Sequence, residues 1–165
     1  MVVIVMGVSG AGKTTVGMHL AQALGWTFRD GDDYHSPESI EKMRGGTALT
    51  DGDREPWLEK IRAFIAEALQ EQKGLVLACS ALKESYRQRL SVDPEHERWV
   101  FLHASREVLA ERLAKRRGHF MSGGLLDSQL ATLEVPAVAL SVDVAAPPDE
   151  VVASIVQGLG LSPPA

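Results

Sequence analysis

Apolar residues along the chain fall into short continuous runs, separated by longer stretches in which every third or fourth position is apolar. The first run, residues 2–6, is rich in β-branched side chains and is typical of a strand buried on both faces. Similar short runs predict four more strands, over residues 26–29, 75–79, 99–102 and 137–144.

The stretches between these runs have helical spacing. Residues 13–24 carry apolar side chains at 16, 20 and 24, and Gly25 is a helix stop. Ser36 before Pro37 predicts a capped helix through residue 43, ended by Gly45-Gly46. Asp53 is predicted to cap a long helix with an apolar stripe formed by Trp57, Ile61, Phe64, Ile65 and Ala68. Further helices are predicted over 82–90, 106–117 and 149–159.

Strands that alternate with helices predict an α/β fold, with a parallel sheet covered by helices on both faces. Ligands of such sheets bind at the carboxyl ends of the strands, so we expect chemistry just after residues 6, 29, 79 and 102. The length of 165 residues suits one domain, and no internal repeat or linker divides it.

Charge and cysteine content narrow the classes of function. The net charge of −5 argues against nucleic-acid and membrane-surface binding, which need basic surfaces. The single cysteine allows no intrachain disulfide, as expected for a cytoplasmic protein. The first apolar run is too short to span a bilayer.

A glycine-rich loop follows the first predicted strand. Residues 7–15 read GVSGAGKTT and match the Walker A pattern Gly-x-x-x-x-Gly-Lys-Thr. Its glycines let backbone N–H groups face phosphate oxygens, and the helix start that follows adds a positive dipole end. Lys13 is placed to bridge the β- and γ-phosphates, and the Thr14 hydroxyl to hold Mg²⁺. The predicted ATP ligands in this loop are Gly7, Val8, Ser9, Gly10, Ala11, Gly12, Lys13, Thr14 and Thr15.

Two carboxylates follow the second predicted strand. In an extended segment Asp30 and Asp32 would point the same way, toward the carboxyl edge of the sheet. One could order the waters of Mg²⁺ and the other could accept the proton of an attacking hydroxyl. His35 is either a ligand contact or a turn residue on this reasoning.

Cations follow later strands. Lys83 and Arg87 are four residues apart, which would put them on one helical face. That face is either suited to an anionic small molecule or a solvated basic surface. A second cluster runs from Arg112 through Arg116 and Arg117 to Gly118. A glycine-bearing, arginine-rich segment of this kind can close over phosphates as a lid.

Taken together, these segments resemble the gluconate kinase family. The resemblance rests on GVSGAGKTT, on DGDDYHSPESIEKMRGGTALTDGDREPWL, on CSALKESYRQRL, and on ERLAKRRGHFM with LLDSQLATLE, in that order from residue 1 to about 145. It implies a three-layer P-loop fold with a five-stranded parallel sheet and a mobile lid, here about residues 117–127 of a single domain, 1–165. It also implies transfer of the ATP γ-phosphate to the 6-hydroxyl of D-gluconate, with Mg²⁺.

The resemblance also implies roles for individual residues. Asp32 would activate the acceptor hydroxyl, Asp30 would lie nearer the magnesium, and Arg116 would act from the lid. Arg54, Lys83 and Arg87 would face gluconate. We also expect His35 on the substrate side and Arg112 on the ATP side.

The sequence departs from the family at two places, and rival functions stay open. Gly123-Gly124 and Leu130-Ala131 replace larger or different residues, which bears on lid stiffness and nucleotide contacts. The alternatives are a kinase of shikimate or another small molecule, and a nucleotide-binding switch protein, although the guanine-specific N-K-x-D signature is missing from the sequence. Oligomeric state is open, with a homodimer among the options.

Overall fold

The computed structural model describes residues 1–115 and 123–164. Five parallel strands form one sheet in the order β2-β3-β1-β4-β5. The strands are β1 Val2–Met6, β2 Thr27–Asp30, β3 Leu75–Ala78, β4 Glu97–His103 and β5 Leu140–Asp143. The helices are α1 Lys13–Leu24, α2 Pro37–Arg44, α3 Asp51–Gln70, α4 Glu84–Leu90, α5 Arg106–Lys115, α6 Gly123–Thr132 and α7 Pro148–Leu159. The predicted α/β fold with a five-stranded parallel sheet is confirmed.

The central strand β1 is fully buried, and its alternating side chains divide the core into two clusters. Val3 and Val5 point into the cluster that also contains α1 and α7, whereas Ile4 and Met6 point into the cluster that contains α3. Both faces of the sheet are therefore covered, as the continuous apolar run predicts. Cys79 follows β3 and is buried, with its backbone N–H bonded to the Val5 carbonyl 3.0 Å away.

Helix ends follow the sequence signals in α1 and α2 but not in α3. Gly25 ends α1 in a left-handed conformation (φ 69°), and the Ser36 hydroxyl caps α2 by accepting from the Ser39 backbone. The N-cap of α3 is Thr50, so the predicted capping role of Asp53 is wrong. Asp53 is instead the third residue of the helix, and its carboxylate bonds back to the Thr50 backbone in a capping box.

Other differences lie at the ends of elements. The strand predicted over 137–144 is shorter, Leu140–Asp143, and α4 begins at Glu84 rather than at residue 82. The chain from Asp30 to Asp32, which we expected to be extended, instead enters a short 3-10 helix, Gly31–Tyr34. Within residues 1–115 and 123–164, no helix combines the length and the apolar character that crossing a lipid bilayer requires.

Candidate active site

The glycine-rich loop joins β1 to α1 at the carboxyl edge of the sheet. Gly10 has φ 88°, and a Cβ there would stand 2.9 Å from the Leu109 carbonyl oxygen, so glycine is required both by backbone conformation and by space. The Lys13 ammonium donates to the Val8 carbonyl at 3.1 Å, which draws the side chain back over the loop. This is the position from which a lysine reaches the phosphates of a bound nucleotide.

The helix α6 contributes a contact to this loop that the sequence did not reveal. The buried Gln129 side chain accepts a hydrogen bond from the Ser9 backbone N–H at 2.8 Å. No short motif indicates this contact, because it joins positions 120 residues apart.

An apolar cavity of about 270 Å³ opens beside the loop. Its walls come from the loop, from α1, from Arg112 and Lys115 on α5, and from the chain around the end of β5, including Val144, Ala146, Pro148 and Val151. The Arg112 guanidinium bonds to the Val144 carbonyl at 2.5 Å and so fixes one wall. Apolar walls next to a phosphate loop suit the base of a nucleotide.

Asp30 connects the phosphate loop to the next strand. It is the last residue of β2, and its Oδ2 accepts a hydrogen bond from the Thr14 hydroxyl at 2.5 Å. Its Oδ1 accepts from the Asp32 backbone N–H at 3.0 Å and caps the 3-10 helix. A hydroxyl and a carboxylate in contact form an oxygen-rich pair of the kind that Mg²⁺ prefers, so the residues fit the expected metal.

We predicted that an extended backbone would align the Asp30 and Asp32 carboxylates, and this prediction is wrong. Both residues nevertheless lie at the carboxyl edge of the sheet. The chain turns into the 3-10 helix directly after Asp30, so the two carboxylates are not aligned by an extended backbone. Trp57 of α3 stabilises this turn, because its indole N–H donates to the Gly31 carbonyl at 2.7 Å.

His35 lies against the same indole. Its ring stacks on Trp57 with centroids 4.4 Å apart and an angle of 14° between the planes. Burial, and then the nearby Arg54 charge, lower the pKa of His35 to about 4, while Asp30 acts in the opposite direction. The imidazole is therefore neutral at pH 7, and the 3.8 Å approach of Nε2 to Asp32 is not an ion pair at that pH.

Arg54 and Lys83 meet at a cluster that also contains Asp51 and Tyr86. The Lys83 ammonium bonds to Asp51 at 3.1 Å, and the Tyr86 hydroxyl donates to the same carboxylate. Arg54 donates to the Tyr86 oxygen at 3.1 Å and to the Leu49 carbonyl at 2.8 Å. Sequence reasoning missed Asp51 and Tyr86, although Tyr86 is part of the CSALK-x-x-YR segment on which the resemblance rests.

Arg87 does not share a face with Lys83. Lys83 precedes α4 as its N-cap residue and turns toward α3, whereas Arg87 is buried. The guanidinium of Arg87 donates to the carbonyls of Ala81, Leu82 and Glu134 and to the Glu84 carboxylate. Four of its five N–H groups are hydrogen-bonded in this way, and Nη2 also lies 3.0 Å from the Glu84 carboxylate. The geometry therefore assigns Arg87 a structural role and argues against its predicted contact with substrate.

Two parts of the predicted site cannot be placed. Arg116 and residues 117–122 of the expected lid lie outside the described residues. The remaining lid positions, 123–127, lie in the first turns of α6. This helix is tied to α5 by a bidentate pair between Arg106 and Asp127, with contacts of 2.7 and 3.0 Å.

Comparison with known proteins agrees with this geometry. The sequence profile of the shikimate kinase family matches residues 9–130. A gluconokinase of Gluconobacter oxydans is 52% identical over 133 residues, which cover 81% of this chain and 75% of that protein.

Solved structures give the same result. A gluconokinase of Sinorhizobium meliloti superposes with a TM-score of 0.83 at 48% identity, covering 96% of this chain and 90% of the other. A sugar kinase from Janibacter superposes with a TM-score of 0.90 at 39% identity, covering 98% and 95% of the two chains.

Proposed function

Because the chain belongs to the shikimate kinase family and, with the relatives described above, to the gluconokinases, we propose that it transfers the γ-phosphate of ATP to the 6-hydroxyl of D-gluconate. The observation that carries the proposal is the hydrogen bond between Thr14 and Asp30. It joins the phosphate loop to the turn that bears Asp32, so a phosphate donor and a hydroxyl acceptor would meet at one edge of the sheet.

On the donor side, the loop backbone and Lys13 would bind the phosphates of ATP. Lys13 would stabilise the charge that develops on the transferring group. Thr14 and Asp30 would hold Mg²⁺, which, when bound, neutralises phosphate charge. The apolar cavity beside the loop would take the base, with Arg112 in its wall.

On the acceptor side, Asp32 would orient the 6-hydroxyl and accept its proton. His35, neutral at pH 7, adds no positive charge that would hold Asp32 in an ion pair. Arg116 stays our candidate for charge stabilisation from the lid, by the resemblance alone.

The gluconate carboxylate would bind to Arg54. Its Nη1 is engaged by Leu49 and Tyr86, and its Nε and Nη2 have no hydrogen-bond partner among the described residues. A guanidinium edge of this kind binds a carboxylate through two parallel hydrogen bonds. Lys83, whose ammonium lies 5.5 Å from the centroid of the Tyr86 ring, would add positive charge.

The proposal is tested by turnover on a panel of acceptors. ADP release with ATP and Mg²⁺ is measured with gluconate, glucose and shikimate in turn. We expect gluconate to be used and glucose, which lacks the carboxylate, to be poorer by at least about tenfold in kcat/KM. Turnover of shikimate but not gluconate would refute the proposed substrate, and ATP binding without any acceptor turnover would favour the nucleotide-binding alternative.

A further inference from the structure

The Tyr86 hydroxyl lies between a carboxylate and a guanidinium. Asp51 can only accept a hydrogen bond and Arg54 can only donate one, so the hydroxyl must donate to the first and accept from the second. Tyr86 as a whole is only 5% exposed, so its surroundings hold the hydroxyl in this place. The direction of both hydrogen bonds is therefore fixed by the chemistry of the two neighbours.

The charge of Asp51 is also maintained by its surroundings. The hydrogen bond from Tyr86, and then that from Lys83, lower the pKa of this carboxyl. An ionised carboxylate polarises the hydroxyl that donates to it and makes the phenolic oxygen a better acceptor for Arg54.

These hydrogen bonds determine which edge of the Arg54 guanidinium is left for a ligand. Its two Nη1 hydrogens are directed to the Leu49 carbonyl at 2.8 Å and to Tyr86 at 3.1 Å. This arrangement leaves the Nε/Nη2 edge unpaired within the part of the chain that the structure describes. The guanidinium also lies 5.3 Å from the centroid of the Tyr86 ring, which limits its rotation.

The molecule itself shows what such an edge binds. Arg106 uses its Nε and Nη2 to hold both oxygens of Asp127, at 2.7 and 3.0 Å. Arg54 presents the same two atoms, but here the carboxylate would come from a ligand.

We propose that Tyr86 is a positioning residue for the acceptor, which holds Arg54 so that its Nε/Nη2 edge receives the substrate carboxylate. This inference rests on the proposed function, since it assumes an acceptor that carries a carboxylate. It assigns selectivity for acidic acceptors to a hydroxyl that does not itself touch the substrate.

The first experiment replaces Tyr86 with Phe, which keeps the buried ring and removes the hydroxyl. We expect KM for gluconate to rise by about tenfold, as for loss of one hydrogen bond to a charged group. KM for ATP and kcat should stay within about twofold, because the phosphate loop and Asp32 are untouched. Equal changes in gluconate KM, ATP KM and kcat would mean general structural damage and would overturn the proposal.

The chain offers a matched control in its other tyrosine. Tyr34 also accepts a hydrogen bond from an arginine, Arg29, at 2.9 Å, and packs on Phe64. We expect Tyr34→Phe to leave KM for gluconate within about twofold of wild type. A rise equal to that of Tyr86→Phe would contradict a specific role for the second tyrosine.

The second experiment is a double-mutant cycle with Arg54→Ala. If Tyr86 acts through Arg54, Tyr86→Phe should change KM for gluconate by less than about twofold once Arg54 is removed. A full tenfold effect in that background would overturn the inference while leaving the proposed function intact. Absence of gluconate turnover in wild type would instead refute the proposed function itself.

Discussion

The phosphate loop and the acceptor side of the site are held together by different kinds of contact. The loop is one continuous segment, and its shape depends on backbone conformation, as at Gly10, and on the short link from Lys13 to Val8. The acceptor side is assembled from side chains on separate elements, with Asp51 and Tyr86 35 residues apart in the sequence. We call the phosphate loop the donor half of the site and the side chains around Asp32, Arg54 and Tyr86 the acceptor half. The structure of the donor half follows from a local motif, whereas that of the acceptor half depends on how α3 and α4 pack.

The donor half is tested most severely by Lys13→Ala. We expect kcat to fall by about a thousandfold or more, because charge on the transferring phosphate loses its nearest fixed cation. The measurement is ADP release at saturating gluconate, with the melting temperature as a check of folding. Lys60→Ala, an exposed lysine on α3, is the matched control and should keep wild-type turnover. Near-normal kcat in a folded Lys13→Ala protein would contradict the nucleotide assignment.

Asp32→Asn tests the point at which the two halves meet. An amide keeps the shape but cannot accept a proton, so we expect kcat to fall by about a hundred- to a thousandfold, with little change in ATP affinity. The exposed neighbour Asp33 supplies the control, Asp33→Asn. If Asp30→Asn abolishes turnover while Asp32→Asn does not, the roles of the two carboxylates are reversed.

Two arginines of the acceptor half should respond in opposite ways. Arg54→Ala should lower kcat/KM for gluconate by tens- to hundreds-fold, as expected for about 2–3 kcal/mol of lost charge-assisted binding, with little change in melting temperature. Arg87→Ala should lower the free energy of unfolding by about 3 kcal/mol, because the buried Ala81 carbonyl loses its donor and the links to the Leu82 and Glu134 carbonyls are removed.

Substrate titrations and urea melts of both variants separate these outcomes. Arg89→Ala, which removes only pairs with Glu55 and Glu59 at the surface, should cost less than about 1 kcal/mol. A gluconate defect in a stable Arg87→Ala protein would restore Arg87 as a substrate ligand.

The remaining expected effect, which appears only below neutral pH, is a pH dependence that comes from His35. In the unfolded chain this histidine binds a proton near pH 6.5, but the folded protein binds it only near pH 4. As pH falls between these values, protons favour the unfolded state, so we expect about 2–3 kcal/mol of stability to be lost across this window. Above pH 6.5 this contribution is fully present.

The comparison variant is His35→Phe, which keeps a ring against Trp57 and cannot titrate. Urea melts of both proteins at pH 4, 5, 6 and 7 give the difference in unfolding free energy. The loss with falling pH should be smaller in the variant, and parallel curves would contradict the assigned pKa.

Much of the fold was predictable because buried regular elements impose a period on the sequence. Strand β1 and helix α1 have the predicted bounds, since a fully buried strand and a helix with a glycine end leave clear signals. Strand β5 was predicted too long, because an apolar residue is not always buried. Val138 is 90% exposed in the segment before β5, although its sequence context resembles a strand.

The site was predictable where a residue's neighbours are local. The position of Lys13 over the loop follows from the motif, and Asp30 lies at a strand end as expected. The 3-10 helix after Asp30 was not visible, because it is held by a distant indole, that of Trp57. Arg87 was misplaced for a related reason: its burial against the Glu134 carbonyl depends on a segment 47 residues away.

The reactivity of Cys79, the single cysteine, which directly follows β3, can be used to measure unfolding of the protein. Burial raises the pKa of the Cys79 thiol to about 12, so the folded chain presents almost no reactive thiolate at neutral pH. Alkylation of this single thiol therefore reports opening of the sheet. A nucleotide that binds only the folded protein would slow labelling by the factor 1 + c/Kd, where c is the nucleotide concentration. ATP affinity can then be measured even in variants that no longer transfer phosphate.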